Sequence, residues 1–288
     1  MIKTFFNLGS TGGDYIINAE IYTSCNDLVR DLKTRNITNE KFHDVKNEKM
    51  DPSWSGVESY EEAIMLLDEG YEPATLHLYE ELVIKKGGRI SGLNKDLIYG
   101  TSVVGFQPIV PLVLNGVPNN MLIRKREKTS ARVINVFMDN TCINTVTIDG
   151  LINTGIQLLK MIYNLEMCGH KVNLYMIEGF AGRASADLLI LKIKDSNSPL
   201  DLKRISFPMC HTAFTRVVGF DWYSKFPKGV FRKGYGTTLD SALSLDERNA
   251  FLGRVFGPGS KYISYKDMED KGEAYLRQVI NIEEVSVI

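Results

Sequence analysis

The chain has 288 residues, a net charge of −1 and 44% hydrophobic residues, a composition typical of a soluble globular protein with one or two domains. No apolar run reaches the roughly 20 residues that a membrane-spanning helix needs. Four cysteines lie far apart without a C-x-x-C pair, which predicts reduced thiols rather than a disulfide framework or a zinc site. We therefore expect a cytoplasmic protein, with a virion as the other setting.

The charge is divided unevenly along the chain. Residues 1–120 carry 11 Lys and Arg against 17 Asp and Glu, and residues 121–288 carry 23 against 18. The surplus of +5 in the second part is well below the basic footprint of a nucleic-acid-binding domain. The basic cluster IRKREK at Ile123–Lys128 is typical of a solvated linker. Neither nucleic acid nor a membrane is expected as a partner.

Residues 1–128 form the first predicted region, an acidic α+β region. In SYEEAIMLLDEG, Ser59 and Glu62 have the spacing of a capping box, and Gly70 is a natural helix end, so a short amphipathic helix is predicted. Pro108 and Pro111 rule out a central helix or strand and predict short extended pieces and turns. Trp54, between two serines and just before a glycine, is expected to be buried against the next domain, with an exposed partner-binding site as the alternative.

Residues 129–225 form the second predicted region, an α/β domain. Apolar patterning predicts a strand at Val133–Met138, a helix at Asp149–Cys168 and a strand at Lys171–Ile177, which together make a parallel βαβ crossover. The roughly ten residues that follow are too few for another crossover, so Leu188–Ile193 is predicted to be an antiparallel strand at the sheet edge. A helical region interrupted near Pro208 follows. Residues 226–288 are predicted to be a C-terminal extension packed on this domain.

This order of elements resembles the first half of a von Willebrand factor A-type domain. In that family an Asp-x-Ser-x-Ser motif after the first strand holds Mg²⁺. Here Asp139 matches the aspartate and Thr141 the first hydroxyl, but Ile143 stands at the second hydroxyl position and cannot be a ligand. The resemblance implies an open, mostly parallel sheet with an antiparallel edge strand, and a degenerate metal site at Asp139 and Thr141.

Two interpretations of Asp139 and Thr141 remain open. A hard cation such as Mg²⁺ takes about six oxygen ligands, and one carboxylate with one hydroxyl supplies few of them. Asp and Thr at a strand end also commonly accept hydrogen bonds from nearby backbone N–H groups. We favour this structural role, in which no cofactor is bound, and retain weak Mg²⁺ binding as the alternative.

Other residue patterns do not identify an enzyme. The four histidines share no metal-ligand spacing, and the glycine-rich segments lack the Gly-Lys-Ser/Thr of a phosphate-binding loop. Cys210 and His211 are adjacent, a spacing at which two side chains rarely face each other, so core packing is the preferred explanation. No catalytic constellation is identified in the sequence, so a non-enzymatic protein is expected, with an enzyme left open as the alternative.

Residues 54–222 are also similar to a family of uncharacterised proteins encoded by bacteriophages and other mobile elements. The similarity rests on SWSGVESYEEAIMLLDEGYEPA, NGVPNNMLIRKR and DLLILKIKDSNSPLDLKRISFPMCHTAFTRVVGFDW in that order. With the A-type resemblance, it implies a protein-binding adaptor that presents the top of its sheet to a partner such as an AAA+ ATPase. The alternatives are a virion structural or assembly protein and an inhibitor of host defence. Homo-oligomerisation is left open.

Overall fold

The structure is a computed structural model that describes residues 1–10, 13–34, 46, 50–81, 98–105, 107–125, 132–141, 146–167, 169–182, 184–225 and 238–280. Its strands are β1 (Ile2–Ser10), β2 (Gly13–Tyr22), β3 (Ile98–Ser102), β4 (Gln107–Pro108), β5 (Met121–Lys125), β6 (Val133–Asp139), β7 (Lys171–Ala181), β8 (Ser185–Lys194) and β9 (Lys261–Ser264). Its helices are α1 (Cys25–Thr34), α2 (Pro52–Ser55), α3 (Tyr60–Glu69), α4 (Glu72–Tyr79), α5 (Val110–Leu114), α6 (Ile148–Met167), α7 (Leu202–Cys210), the π-helical segment Phe214–Gly219, α8 (Phe220–Tyr223), α9 (Leu239–Ala242), α10 (Leu245–Phe256) and α11 (Tyr265–Ile280).

A mixed sheet of six strands, in the order β1-β2-β8-β7-β6-β9, organises the described part of the chain. The pairs β2/β8, β6/β7 and β6/β9 are parallel, and the pairs β1/β2 and β7/β8 are antiparallel. The fold class is therefore α/β with a mixed sheet. The three predicted regions share this sheet: the first contributes β1 and β2, the second β6 to β8, and the third β9.

The predicted crossover is confirmed. β6 and β7 are parallel from the pair Val133/Lys171 to the pair Asp139/Ile177, and α6 connects them. β8 is antiparallel to β7, as its short connection predicted. The prediction that β8 lies at the sheet edge is wrong, because β2 pairs with its other side. The antiparallel strand at that edge is β1.

The sheet is covered by helices on both faces, so its central strands are buried on both sides. In β6, Val136 and Met138 face the larger core, which includes side chains of α3, α6 and α7, whereas Phe137 faces a smaller core that includes Phe251 of α10. This two-sided burial explains why β6 reads as a continuous apolar run. Within the described residues, no helix is long and apolar enough to cross a membrane.

Helix boundaries follow the predicted capping residues in most places. The Ser59 side chain accepts a hydrogen bond from the Glu62 N–H at the start of α3, and Gly70 ends that helix at φ 90°. Gly169 likewise follows α6 at φ 90°. The predicted interruption near Pro208 is present, because the helical region breaks at His211, which is extended, although α7 itself continues through Pro208 to Cys210.

A second sheet of three strands, in the order β3-β5-β4, contains the segment rich in valine and proline. β5 pairs antiparallel with both other strands. The short helix α5 follows β4, with Pro111 in its first turn. Proline is tolerated there because the first N–H groups of a helix have no intrahelical partner. The expected short extended pieces and turns are therefore present. The helical turn α5 was not expected, because the two prolines predicted that no helix forms here.

Trp54 lies against the helical segment that follows α7. Its ring centroid is 5.7 Å from that of Phe220 and 5.3 Å from the guanidinium carbon of Arg216. The Arg216 guanidinium also donates a hydrogen bond to the Trp54 carbonyl. The side chain is half-buried rather than buried, which corrects the prediction, although it contacts the region that was expected.

The adjoining Gly56 gives the first testable prediction. Its φ is 83°, and a Cβ there would lie 2.7 Å from His211 Cε1 and 3.0 Å from Thr212 Oγ1. We expect Gly56→Ala to lower the free energy of unfolding by roughly 1–3 kcal/mol, because backbone strain and a clash with buried side chains add. Urea denaturation measures the loss.

Gly253→Ala is the matched control for Gly56→Ala. Gly253 lies inside α10, and a Cβ added to it would meet no described atom within 4 Å beyond the backbone of its own helix. Alanine there should raise the free energy of unfolding by about 0.5–1 kcal/mol, because alanine is the better helix former. Equal effects of the two substitutions would contradict the proposed role of Gly56.

Candidate functional site

Asp139 is the last residue of β6 and is only 2% exposed. Its Oδ1 accepts a hydrogen bond of 2.9 Å from the Thr141 backbone N–H, a turn that Asp commonly forms at strand ends. Its Oδ2 accepts a hydrogen bond from the Tyr262 hydroxyl on β9. Both carboxylate oxygens are therefore engaged by groups of the protein.

Thr141 connects this turn to β7. Its hydroxyl oxygen accepts a 3.0 Å hydrogen bond from the Gly179 N–H. Glu178, which precedes Gly179 in β7, is fully buried, and its Oε1 accepts a hydrogen bond from the Thr215 hydroxyl in the π-helical segment. Its Oε2 has no hydrogen-bond partner among the described residues.

The carboxyl cluster (Asp139, Thr141, Glu178, Thr215 and Tyr262) thus brings two acidic side chains together in the interior. Burial raises the pKa of Glu178 to about 8, the Thr215 hydrogen bond opposes this, and the nearby Asp139 charge adds to it. Burial also raises the pKa of Asp139, although hydrogen bonds from Tyr262 and Thr141 oppose that rise. Glu178 is consequently neutral near pH 7.

Metal binding at Asp139 and Thr141 remains a prediction. Among the described residues, no group of three or more His, Cys, Asp or Glu side chains is arranged to hold a metal ion. Ile143 lies outside those residues. Each Asp139 oxygen already accepts a hydrogen bond from the protein, and the observed arrangement ties β6, β7, β9 and the π-helical segment together. The geometry supports cross-linking of elements better than ligand binding.

Sequence reasoning missed Glu178, Thr215 and Tyr262. Glu178 had a usable signal, since it is the single acidic residue in the apolar run KVNLYMIEGFA, and a carboxyl group inside a buried strand is rare. Thr215 and Tyr262 had none, because they lie 37 residues from Glu178 and 123 residues from Asp139 and meet the cluster only after folding.

Cys210 and His211 are part of the core, which agrees with the packing explanation. Burial raises the pKa of the Cys210 thiol to about 12 and lowers the pKa of His211 to about 4. The His211 Nδ1 accepts a hydrogen bond from the Ala213 N–H, and its ring packs between Tyr71 and Phe207. A thiol and an imidazole with these pKa values are poorly suited to act as nucleophile and base at neutral pH.

An open cleft of about 610 Å³ lies at the C-terminal end of β8. Its lining includes Thr23, Asp68, Lys192, Lys194 and Arg204. Lys192 pairs with Asp195 and Lys194 with Glu166, so these two lysines are already compensated by carboxylates. The cleft therefore offers less attraction to an anion than its composition indicates.

Comparison with known proteins assigns the chain to a family without assigning an activity. No curated protein and no solved structure matches it. One family model, DUF7192, described as a domain of unknown function, matches residues 17–284. That range includes part of β2, the strands β6 to β9 of the main sheet and the whole carboxyl cluster, whereas β1 lies outside it. The chain therefore belongs to the DUF7192 family.

Proposed function

We propose that this chain is a non-enzymatic adaptor that binds another protein through the outer edge of β1. β1 is the terminal strand of the main sheet and pairs with β2 over nine residues without a register shift. Its outer edge carries backbone N–H and C=O groups for which the described residues supply no neighbouring strand. Such an edge is a template for a further strand.

The residues of β1 leave this edge weakly protected. Natural proteins usually interrupt exposed edges with charges, prolines or bulges. Between Ile2 and Asn7 the single charged residue is Lys3, which already pairs with Glu20. Ile2 and Phe5 are 55% and 71% exposed. An extended apolar segment of a partner would satisfy the backbone groups and cover Phe5.

The nature of the partner is part of the proposal. The strand directions of β6, β7 and β8 are those expected for the first half of a von Willebrand A-type domain, although β8 is not at the sheet edge, and this resemblance supports an AAA+ ATPase as partner. The resemblance to bacteriophage proteins supports two alternatives, a virion component and an inhibitor of host defence. Each predicts a different class of co-purifying protein.

Phe5→Lys tests the β1 edge. The side chain is exposed, so the fold should remain intact, but a charge at the centre of the edge should weaken strand addition at least about tenfold. Cross-linking in the native host, followed by identification of the linked proteins, measures the loss. Tyr79→Lys, at an exposed position on α4, is the matched control and should retain the partner.

The identity of a protein lost specifically in Phe5→Lys separates the alternatives. Loss of an AAA+ ATPase would support the adaptor role. Loss of capsid or tail proteins would support a virion role, and loss of a defence protein would support an inhibitor of host defence. If light scattering shows a dimer of wild type and a monomer of Phe5→Lys, the edge pairs with a second copy. Retention of every linked protein by Phe5→Lys would contradict the proposal.

A further inference from the structure

The three-stranded sheet ends in an apolar surface that nothing in the described structure covers. We call the exposed residues Val103, Val104, Val110, Val113, Leu114 and Val117 the apolar tip. Val104 is 78% and Leu114 81% exposed. No described residue from Thr101 to Met121 is buried. The helix α5 consists of valine, proline and leucine alone and buries none of them, although a helix that is apolar all round is normally buried.

The charged residues of β5 lie at the end of the small sheet that is remote from the apolar tip. The chain carries no charged residue from Leu97 to Ile123. The pair Ser102/Met121 marks the end of the sheet next to the apolar tip, and the pair Ile98/Lys125 marks the opposite end. Arg124 and Lys125 therefore lie roughly 10–14 Å behind the tip, at about 3.4 Å per strand residue.

We infer that the apolar tip docks on an anionic lipid surface. An apolar element that lies on a membrane enters the boundary between headgroups and acyl chains by about 5–10 Å. The strand positions of Arg124 and Lys125 in β5 follow behind that depth, on the side of the lipid phosphates, which attract basic residues close to the surface. Neutral valine and leucine side chains at the front, with cations one strand length behind, match this layering.

A lipid surface fits the tip better than a protein does. Binding energy in protein interfaces concentrates in Trp, Tyr and Arg, whereas Val and Leu are under-represented among those residues. The apolar tip consists of Val and Leu alone. A bilayer demands no specific hydrogen bonds and no matching shape, only apolar area and attraction to its negative charge. The inference revises the expectation that no membrane is involved, since the tip lies on the bilayer and does not span it.

This surface is separate from the proposed adaptor edge. The tip belongs to the sheet β3-β5-β4, and the edge belongs to β1 of the main sheet. A chain with both surfaces would bring a protein partner to a membrane. Either one can fail without the other, because Phe5→Lys leaves the tip unchanged and substitutions in the tip leave β1 unchanged.

Vesicle co-sedimentation of the full chain tests the inference. Wild type should bind vesicles of phosphatidylcholine with about 30% phosphatidylglycerol and should bind pure phosphatidylcholine vesicles more weakly. Leu114→Asp should reduce binding to the anionic vesicles at least about tenfold, because the aspartate adds a charge where an apolar side chain enters the interface. The double substitution Arg124→Gln, Lys125→Gln should reduce binding to anionic vesicles and remove much of its sensitivity to salt.

Leu76→Asp is the matched control, since Leu76 is an exposed leucine on α4 and is not part of the small sheet. It should bind vesicles as wild type does, and thermal melts should show that both aspartate variants are folded. Equal vesicle binding by wild type and Leu114→Asp overturns the inference, as does wild type that binds neither vesicle. A lipid-free wild-type dimer that Leu114→Asp converts to a monomer also overturns it and assigns the tip to a contact between copies.

Discussion

Replacing Glu178 with glutamine is expected to stabilise the fold, and the gain should grow as the pH rises from about 5 to about 8. Glu178 is fully buried, and its Oε2 has no hydrogen-bond partner among the described residues. Glutamine has nearly the same shape and retains an oxygen for the Thr215 hydroxyl, but it cannot ionise. The substitution therefore removes a pH-dependent loss of stability, which arises because the buried carboxyl group keeps its proton in the folded chain and releases it in the unfolded chain.

The direction of the pH dependence follows from the raised pKa. The pKa of Glu178 is about 8 in the folded chain, against an ordinary value of 4.5. Well below pH 4.5 the carboxyl group is protonated in both states, so its ionisation does not change the stability. As the pH rises toward 8, the unfolded state releases the proton and the folded state retains it, so stability falls. At about 1.4 kcal/mol per pKa unit, the fall amounts to several kcal/mol.

Urea denaturation at several pH values measures this effect. The stability of Glu178→Gln relative to wild type should be lowest at and below pH 4.5 and should rise progressively toward pH 8. Glu247→Gln is the matched control, because Glu247 caps α10 at the surface and its pKa is lowered by hydrogen bonds from Ser244. That variant should show no gain at any pH. Parallel curves for wild type and Glu178→Gln would show that Glu178 ionises normally.

The part of the fold that the sequence predicted rests on local patterns and connection lengths. The run Val133–Met138, the periodic segment after Asp149 and the short connection to Leu188 were sufficient to place β6, α6, β7 and β8 and their directions. The position of β8 was predicted wrongly because that depends on β2, which is remote in sequence. In β2 the buried residues Tyr15, Ile17, Ala19 and Ile21 have the period of a strand, but no local pattern indicates where it pairs.

In the carboxyl cluster, too, the sequence predicted the local contacts and not the contacts between remote segments. The strand end at Asp139 and its bond to the Thr141 N–H follow from general behaviour of Asp and Thr. The second oxygen of Asp139 is engaged by Tyr262, which approaches only because β9 pairs with β6 across more than a hundred intervening residues. A hydroxyl that reaches a buried carboxylate through strand pairing is a tertiary feature, so the sequence alone could not decide between the two interpretations.

Asp139→Ala is expected to be the most destabilising substitution in the carboxyl cluster. It removes the acceptor for two buried donors, the Tyr262 hydroxyl and the Thr141 N–H. Each buried donor without a partner costs about 1–3 kcal/mol, so with two donors the free energy of unfolding should fall by roughly 2–6 kcal/mol. Tyr262→Phe, which removes one donor and keeps the ring, should cost less, and the double variant should cost less than the sum of the two.

The same variants decide whether Asp139 and Thr141 bind Mg²⁺. A weakly bound ion stabilises the fold by RT ln(1 + [L]/Kd), about 0.4 kcal/mol when its concentration equals Kd. We expect wild type to unfold at the same urea concentration in millimolar Mg²⁺ and in EDTA, because both Asp139 oxygens already accept hydrogen bonds from the protein. If Mg²⁺ increases the free energy of unfolding of wild type but not of Asp139→Ala, the carboxyl cluster binds the metal ion. In Tyr262→Phe the Oδ2 atom loses its donor, so that variant should be the first to gain Mg²⁺ dependence if the tyrosine hydroxyl occupies the place of an ion.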